Sequence, residues 1–167
     1  PLASKPDYYR DTTVMVGNER MTGTEGQCGA DAFSLATQIL QSLKAEPSMR
    51  DADRMAWVAG QDAVFARCTW SPGSTQPAPP LPAPLPAGSP AKLLAFNAYQ
   101  RASALFYGED YAAALKAFDA IAEDKEHVIR PWAMLGAMRS LVRGTVRDNT
   151  WNLAFNEAYG KKGLRGK

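Results

Sequence analysis

The sequence has a single histidine and only two cysteines among its 167 residues. A zinc site needs about four ligands, so His127, Cys28 and Cys68 do not form one without distant carboxylates. A thiol protease needs a thiolate beside an imidazole, but His127 lies in an acidic stretch. Phosphate-binding glycine loops and Gly-x-Ser-x-Gly elbows are also missing. The sequence therefore predicts no metal, no cofactor and no catalytic residue.

Long apolar runs are missing too, since Lys, Asp or Gly interrupts every apolar stretch within a few positions. A bilayer span needs roughly 20 apolar residues, so we expect no membrane insertion. The formal net charge is only +2, and the basic cluster between Lys161 and Lys167 is typical of a solvated tail rather than a nucleic-acid surface. Residues 1–6 lack a signal-peptide pattern, which indicates a mature form or a fragment of something larger.

Proline is abundant in one place, because eight of the 12 prolines lie between Pro72 and Pro90. Proline lacks an amide donor and fixes φ, which predicts a polyproline II spacer. We expect residues 72–90 to be the most open internal segment, with packing of Leu81 and Leu85 on the helices as the alternative. A Pro-x-x-Pro spacing from Pro77 would also suit an SH3-like groove, but a plain spacer is the preferred interpretation. The predicted parts are 1–71, 72–90 and 91–167.

The N-terminal part begins with an irregular segment, where turn signals around Thr12–Val16 leave a strand or a hairpin open. Apolar residues at helical spacing then predict helices over about 31–46 and 49–68. Between them, Ser48 to Asp51 resembles a capping box in which the Ser48 hydroxyl covers a free amide. Gln61 interrupts the apolar face of the second helix and is interpreted as a hydrogen-bonded core residue that fixes helix register.

The two cysteines have two interpretations. If these helices fold back on each other, Cys28 and Cys68 meet at the open end of the hairpin. A disulfide closing a loop of about 40 residues would stabilise the fold by roughly 4 kcal/mol and would need an oxidising compartment. The alternative is two unrelated buried thiols.

In the C-terminal part, helical spacing predicts one helix after Pro90 up to Tyr107 and a second from Tyr111 to Ala122. A third is expected to start near Pro131. A short final helix is expected at Thr150–Tyr159. Small and large residues alternate along these helices at fixed spacings. The residues that carry this pattern are Ala102, Leu105, Tyr111, Ala114, Phe118, Trp132, Leu135 and Gly136.

This pattern, over residues of about 95–143, resembles degenerate tetratricopeptide repeats, whose helix pairs stack around close-approach points. The departures are Ala98, Arg101, Ile121 and Arg139, and generic helical hairpins are the alternative. The resemblance implies an all-α fold of helical hairpins. It also implies a concave surface for a peptide or protein partner, lined by Tyr99, Ser103, Phe106, Arg130 and Ala137. Alternatively, Tyr99 and Phe106 are core residues.

The helix with Trp57, Gln61, Val64, Phe65 and Cys68 also resembles uncharacterised bacterial envelope proteins. This resemblance implies a periplasmic or otherwise exported location for the protein. We therefore expect a non-enzymatic interaction or scaffold module, of unknown oligomeric state. The alternative is an accessory or catalytic part of a cell-wall-processing enzyme, for which Glu19 and Glu25 are the candidate carboxylates.

Overall fold

The structure, a computed structural model, describes residues 11–16, 19–24, 30–70 and 75–147. It confirms the all-α class for the two long described ranges. The N-terminal segment adds an antiparallel hairpin, which answers the choice between one strand and two. The elements are β1 (Asp11–Val16), β2 (Glu19–Thr24), α1 (Ala30–Lys44), α2 (Asp51–Thr69), α3 (Ala91–Tyr107), α4 (Tyr111–Glu123) and α5 (Arg130–Arg147).

Three of the helices, α2, α3 and α5, run in the same direction. Gln100 of α3 contacts the Gly60 position of α2, and Arg67 further along α2 reaches the end of α3 at Ala104. In the same way, Tyr99 lines a cavity with Gly136 of α5, and Phe106 lies under the guanidinium of Arg143. Two elements bring the chain back between these parallel helices. They are α4 and the described part of the Pro-rich segment, residues 75–90, which we call the strap.

Small residues and rings fill the contacts of α4 with α3 and α5. Ala102 of α3 and Ala114 of α4 are completely buried, as their proposed role at close-approach points requires. The Phe118 ring of α4 lies against Gly136, where an added Cβ would stand 2.7 Å from Cζ. Glycine at position 136 therefore permits the close approach of α5 to α4.

The strap is held against the helices rather than open. Pro82 is fully buried and Leu85 packs against the core, so the packing alternative holds for Leu85. Prolines offer carbonyl acceptors but no amide donors, and the helices supply the donors. Arg67 Nε donates to the Pro79 carbonyl at 2.9 Å, Arg101 donates to that of Pro82, and Asn97 Nδ2 donates to that of Ala83 at 3.1 Å.

The predicted cap of the second helix is wrong in its details. The Ser48 hydroxyl donates to the Glu46 carboxylate at 3.1 Å and does not cover a helix amide. The helix begins at Asp51 after Arg50, whose amide donates to the Asp53 carboxylate at 3.3 Å. The Arg50 guanidinium donates two further bonds of 2.8 Å to the same carboxylate. The Asp53 carboxylate thus forms the half of a capping box in which the third helical residue accepts from the amide of the cap residue.

Candidate functional site

The parallel helices α2, α3 and α5 share one face, which we call the groove. A helix-repeat array exposes such a face where its first helices lie side by side. The side chains that line it come from each of these helices, and they are Gln61, Val64, Tyr99, Ser103, Leu135 and Arg139.

Helix α1 lies over the groove and runs opposite to the three parallel helices. Its apolar stripe, Leu35, Ala36 and Ile39, is buried, with 2 to 7% of each residue exposed. Near its start, the Phe33 ring stacks on Phe65 of α2 with centroids 6.2 Å apart. The occupant of the groove is therefore an amphipathic helix from the same chain.

The contact of α1 with the rest of the fold is looser than the contacts between the later consecutive helices. Close backbone approach of α1 is limited chiefly to α2, because large groove side chains such as Tyr99 and Tyr107 stand between α1 and α3. Small cavities of about 40 and 30 Å³ remain between α1 and the groove. Cavities in an interface forfeit dispersion contacts, so α1 is bound less tightly than a core helix of equal burial.

Ion pairs lie at both ends of α1. At its start, two nitrogens of the Arg139 guanidinium donate to Asp31 Oδ2 at 3.2 Å. Just after its end, Lys92 Nζ lies 3.7 Å from Glu46 Oε2. About one-third to one-half of each of the four side chains is exposed. Because solvent screens exposed charges, each pair contributes at most about 1 kcal/mol. Their value is to fix the direction of α1 in the groove.

Burial controls the chemistry of the groove tyrosines. It raises the pKa of Tyr99 to about 12, with a side-chain hydrogen bond to Ser103 acting the other way. Burial also raises the pKa of Tyr107. Both hydroxyls therefore stay neutral at ordinary pH, and neither acts as a base. The Tyr99 ring also packs on Phe118 with centroids 5.6 Å apart, so it joins the groove to the core.

The structure brings together three of the five predicted binding residues. Tyr99, Ser103 and Phe106 line the larger cavity beneath α1, and Phe106 is 7% exposed. Arg130 and Ala137 are not among its lining residues. Arg130 Nε donates to the carbonyl of Ala122 at 2.9 Å, which caps the end of α4, and Ala137 is buried.

Sequence reasoning missed Arg139, which holds a carboxylate as Arg130 was expected to do. It was noted only as a departure from the repeat pattern. A signal was present, because Trp132, Leu135 and Arg139 follow one another at spacings of three and four and so share a helix face. All three line the larger cavity.

Two of the four remaining candidate site residues lie outside the described residues. Cys68 is buried at the end of α2, but Cys28 lies outside the described residues, so the disulfide stays a prediction. Of the two candidate carboxylates, Glu19 belongs to β2, whereas Glu25 lies outside the described residues. Within the described ranges, no group of three or more His, Cys, Asp or Glu side chains is placed to hold a metal ion. No helix in the described ranges is long and apolar enough to cross a bilayer.

Comparison of the chain with protein-family models, curated proteins and solved structures gave no match.

Proposed function

We propose that this chain is a non-enzymatic protein-interaction module whose groove binds an amphipathic helix. One observation supports the proposal above the others: the groove holds α1, an amphipathic helix, through an apolar stripe and a pair of terminal charges. Helix-in-groove recognition uses the same combination, with apolar anchors at spacings of three and four residues. α1 therefore serves as the template for the partner's chemistry.

The template defines what a partner helix must offer. It needs small and medium apolar residues spaced as Leu35, Ala36 and Ile39 are, because the cavities beneath them are shallow. It also needs an acidic residue near its N-terminus to pair with Arg139. An acidic residue there is stabilised by the helix dipole as well, so the charge serves both the ligand's helicity and its orientation.

We assign the module to a bacterial envelope protein in an exported, oxidising location. Two sequence arguments support this assignment. They are the predicted pairing of Cys28 with Cys68 and the resemblance of the α2 segment to bacterial envelope proteins. Thiol titration of the unreduced, unfolded protein tests the first argument, since two free thiols per chain would contradict it.

Peptide binding to the full-length chain tests the groove. In the parent, α1 competes at an effective concentration in the millimolar range, because it is tethered beside its site. Leu35→Asp with Ile39→Asp should release α1 by placing two charges in the apolar contact. A fluorescent peptide of residues 30–46 should then bind at least about tenfold more tightly than to the parent, as anisotropy would show.

The matched control is Gln38→Asp with Gln41→Asp, which adds the same charge at exposed positions of α1 and should bind the peptide as the parent does. In the released variant, Tyr99→Ala should weaken binding and Arg130→Ala should not. If the released variant loses its helical signal, Asp31→Arg replaces it, since this exposed change only reverses one charge beside Arg139. Equal peptide binding by the released, charge-reversed and control variants would refute the groove assignment.

A further inference from the structure

A second apolar surface lies on the exposed side of α5, outside the groove. Six large apolar side chains in the described ranges are exposed, and four of them belong to this one helix. They are Met134, Met138, Leu141 and Val142, with 48 to 58% of each residue exposed. Met138 follows Met134 by four residues, and Leu141 and Val142 follow Met138 by three and four, which places them in a single stripe along the helix.

The stripe is distinct from the two faces of α5 that already have partners. Ala133, Gly136 and Ala137 face α4 and are buried. On another side, Leu135 and Arg139 line the groove. At 100° per residue, the stripe lies roughly a third of a turn from the buried face and roughly a third of a turn from the groove residues. Neither α1 nor any other described helix covers it.

An open cleft of about 640 Å³ adjoins the stripe at the C-terminal end of α5. Tyr111 and Leu115 of α4 form one wall, and Leu141 and Gly144 of α5 form the other. The helices converge at its floor, where a Cβ added to Gly144 would lie 3.4 Å from Tyr111 Cβ. The stripe and the cleft share Leu141 and together form a mainly apolar site, with Glu109 and Asp110 at one end, that has room for one more helix beside α4 and α5.

We propose that this chain's own segment Thr150–Tyr159 occupies this site as a helix antiparallel to α5. The segment lies outside the described residues, but its sequence places Trp151, Ala154, Phe155 and Ala158 at spacings of three, one and three. This spacing gives one apolar helix face. The pair α5 and 150–159 would thus repeat the arrangement of α3 and α4.

Chain length favours this segment over a partner from another molecule. Only residues 148 and 149 separate it from the end of α5, and α3 and α4 are joined by a similarly short turn of residues 108–110. Ten helical residues span about 15 Å, which reaches back along α5 to about Met138. The tether also holds the segment beside the stripe at an effective concentration that an independent partner would rarely match.

Hydrogen exchange on the full-length chain tests the proposal. Backbone amides within 152–158 should exchange at least about tenfold more slowly than free amides, because a docked helix opens rarely. Met138→Asp with Leu141→Asp should return them to within about threefold of the free rate. The matched control changes the other two exposed apolar residues, Met55→Asp with Val128→Asp, and should leave the protection unchanged. Exchange in α3 and α4 should be the same in all three proteins.

Phe155→Asp should remove the same protection from the opposite side of the contact. Sedimentation equilibrium of the parent, which should be a monomer, separates this proposal from pairing of two chains through the stripe. A parent dimer that the stripe variant dissociates would overturn the proposal in favour of a second copy. Free exchange of residues 152–158 in the parent would overturn it, and so would protection that survives the stripe substitutions.

Discussion

The strap and α4 bring the chain back in the same sense, but they are held by different forces. α4 returns from α3 to α5 as a helix and packs through Phe118 and Ala114, both at most 2% exposed. The strap returns from α2 to α3 without a helix, and side-chain donors on both helices hold its carbonyls. Apolar packing therefore holds α4 between α3 and α5, whereas hydrogen bonds hold the strap between α2 and α3.

The helix contacts beside these two elements differ in the same way. Where α4 meets α5, an aromatic ring packs against a glycine, as the Phe118 ring does against Gly136. Where α2 meets α3, the Gln100 side-chain amide packs against Gly60. Its Nε2 donates to the Trp57 carbonyl at 2.9 Å and to Gln61 Oε1 at 3.3 Å. A buried amide network gains little net energy but tolerates no shift in register. The α2–α3 contact is thus the more specific one and the α4–α5 contact the stronger one.

Phe118→Ala should have the largest effect, because it empties the centre of the α4 contact. Removing a buried phenylalanine ring costs about 3–5 kcal/mol of unfolding free energy. The loss should appear as a lower midpoint in urea unfolding with little change in slope. A loss below about 1 kcal/mol would mean that α4 is no better packed than the strap, and the comparison would fail.

Asn97→Ala should have a smaller and more local effect. Asn97 holds the strap from both sides, since its Nδ2 donates to the Ala83 carbonyl and its Oδ1 accepts from the Leu85 amide at 3.3 Å. Losing the side chain removes two hydrogen bonds to partly exposed backbone groups, each contributing about 0.5–1.5 kcal/mol. Exchange at the Leu85 amide should rise far more than exchange in α4. Equal increases in both places would show that the strap and α4 unfold as one unit.

The sequence predicted α4 better than it predicted the strap, for a physical reason. Apolar packing leaves a periodic trace, and the spacings of Ala114 and Phe118 and of Trp132, Leu135 and Gly136 predicted both helices, while their contact through Phe118 and Gly136 came from the structure. A strap held by side-chain donors leaves no period. Asn97 and Arg101 are 14 and 19 residues from the carbonyls they bind, so only the folded chain reveals the pairing.

The groove was predictable in position but not in occupancy. The tetratricopeptide resemblance implied that Tyr99, Ser103 and Phe106 line one surface, and their spacings of four and three are consistent with a single helix face. That α1 lies on that face depends on a long-range contact, such as the pairing of Asp31 with Arg139 across 108 residues. Arg130 is not among the residues that line the cavity beneath α1, and the repeat pattern does not show that its Nε donates to the Ala122 carbonyl.

The smallest loss of stability is expected at the start of α2, where a polar contact between Arg50 and Asp53 caps the helix. Hydrogen bonds from Arg50 hold the pKa of the Asp53 carboxyl below its usual value. A carboxyl whose pKa is lower in the folded state stabilises the fold above its unfolded pKa of about 3.9 and stops doing so as the pH falls through the folded pKa. Asp53→Asn should therefore lower the melting temperature slightly at pH 7, and the difference from the parent should vanish towards pH 2.

The matched control for this prediction is Asp62→Asn, an exposed carboxyl on the same helix. Because the Arg50 side chain is 76% exposed, solvent weakens the pair, and the shift should be smaller than that of Asn97→Ala. Melting curves of the three proteins at pH 7, 4 and 2 would measure it. If the Asp53→Asn difference persisted unchanged at pH 2, the stabilisation would come from the geometry of the cap rather than from the carboxylate charge. The α2 start would then resemble the contacts of the neutral Asn97 side chain with the strap, instead of adding the contribution of a carboxylate charge.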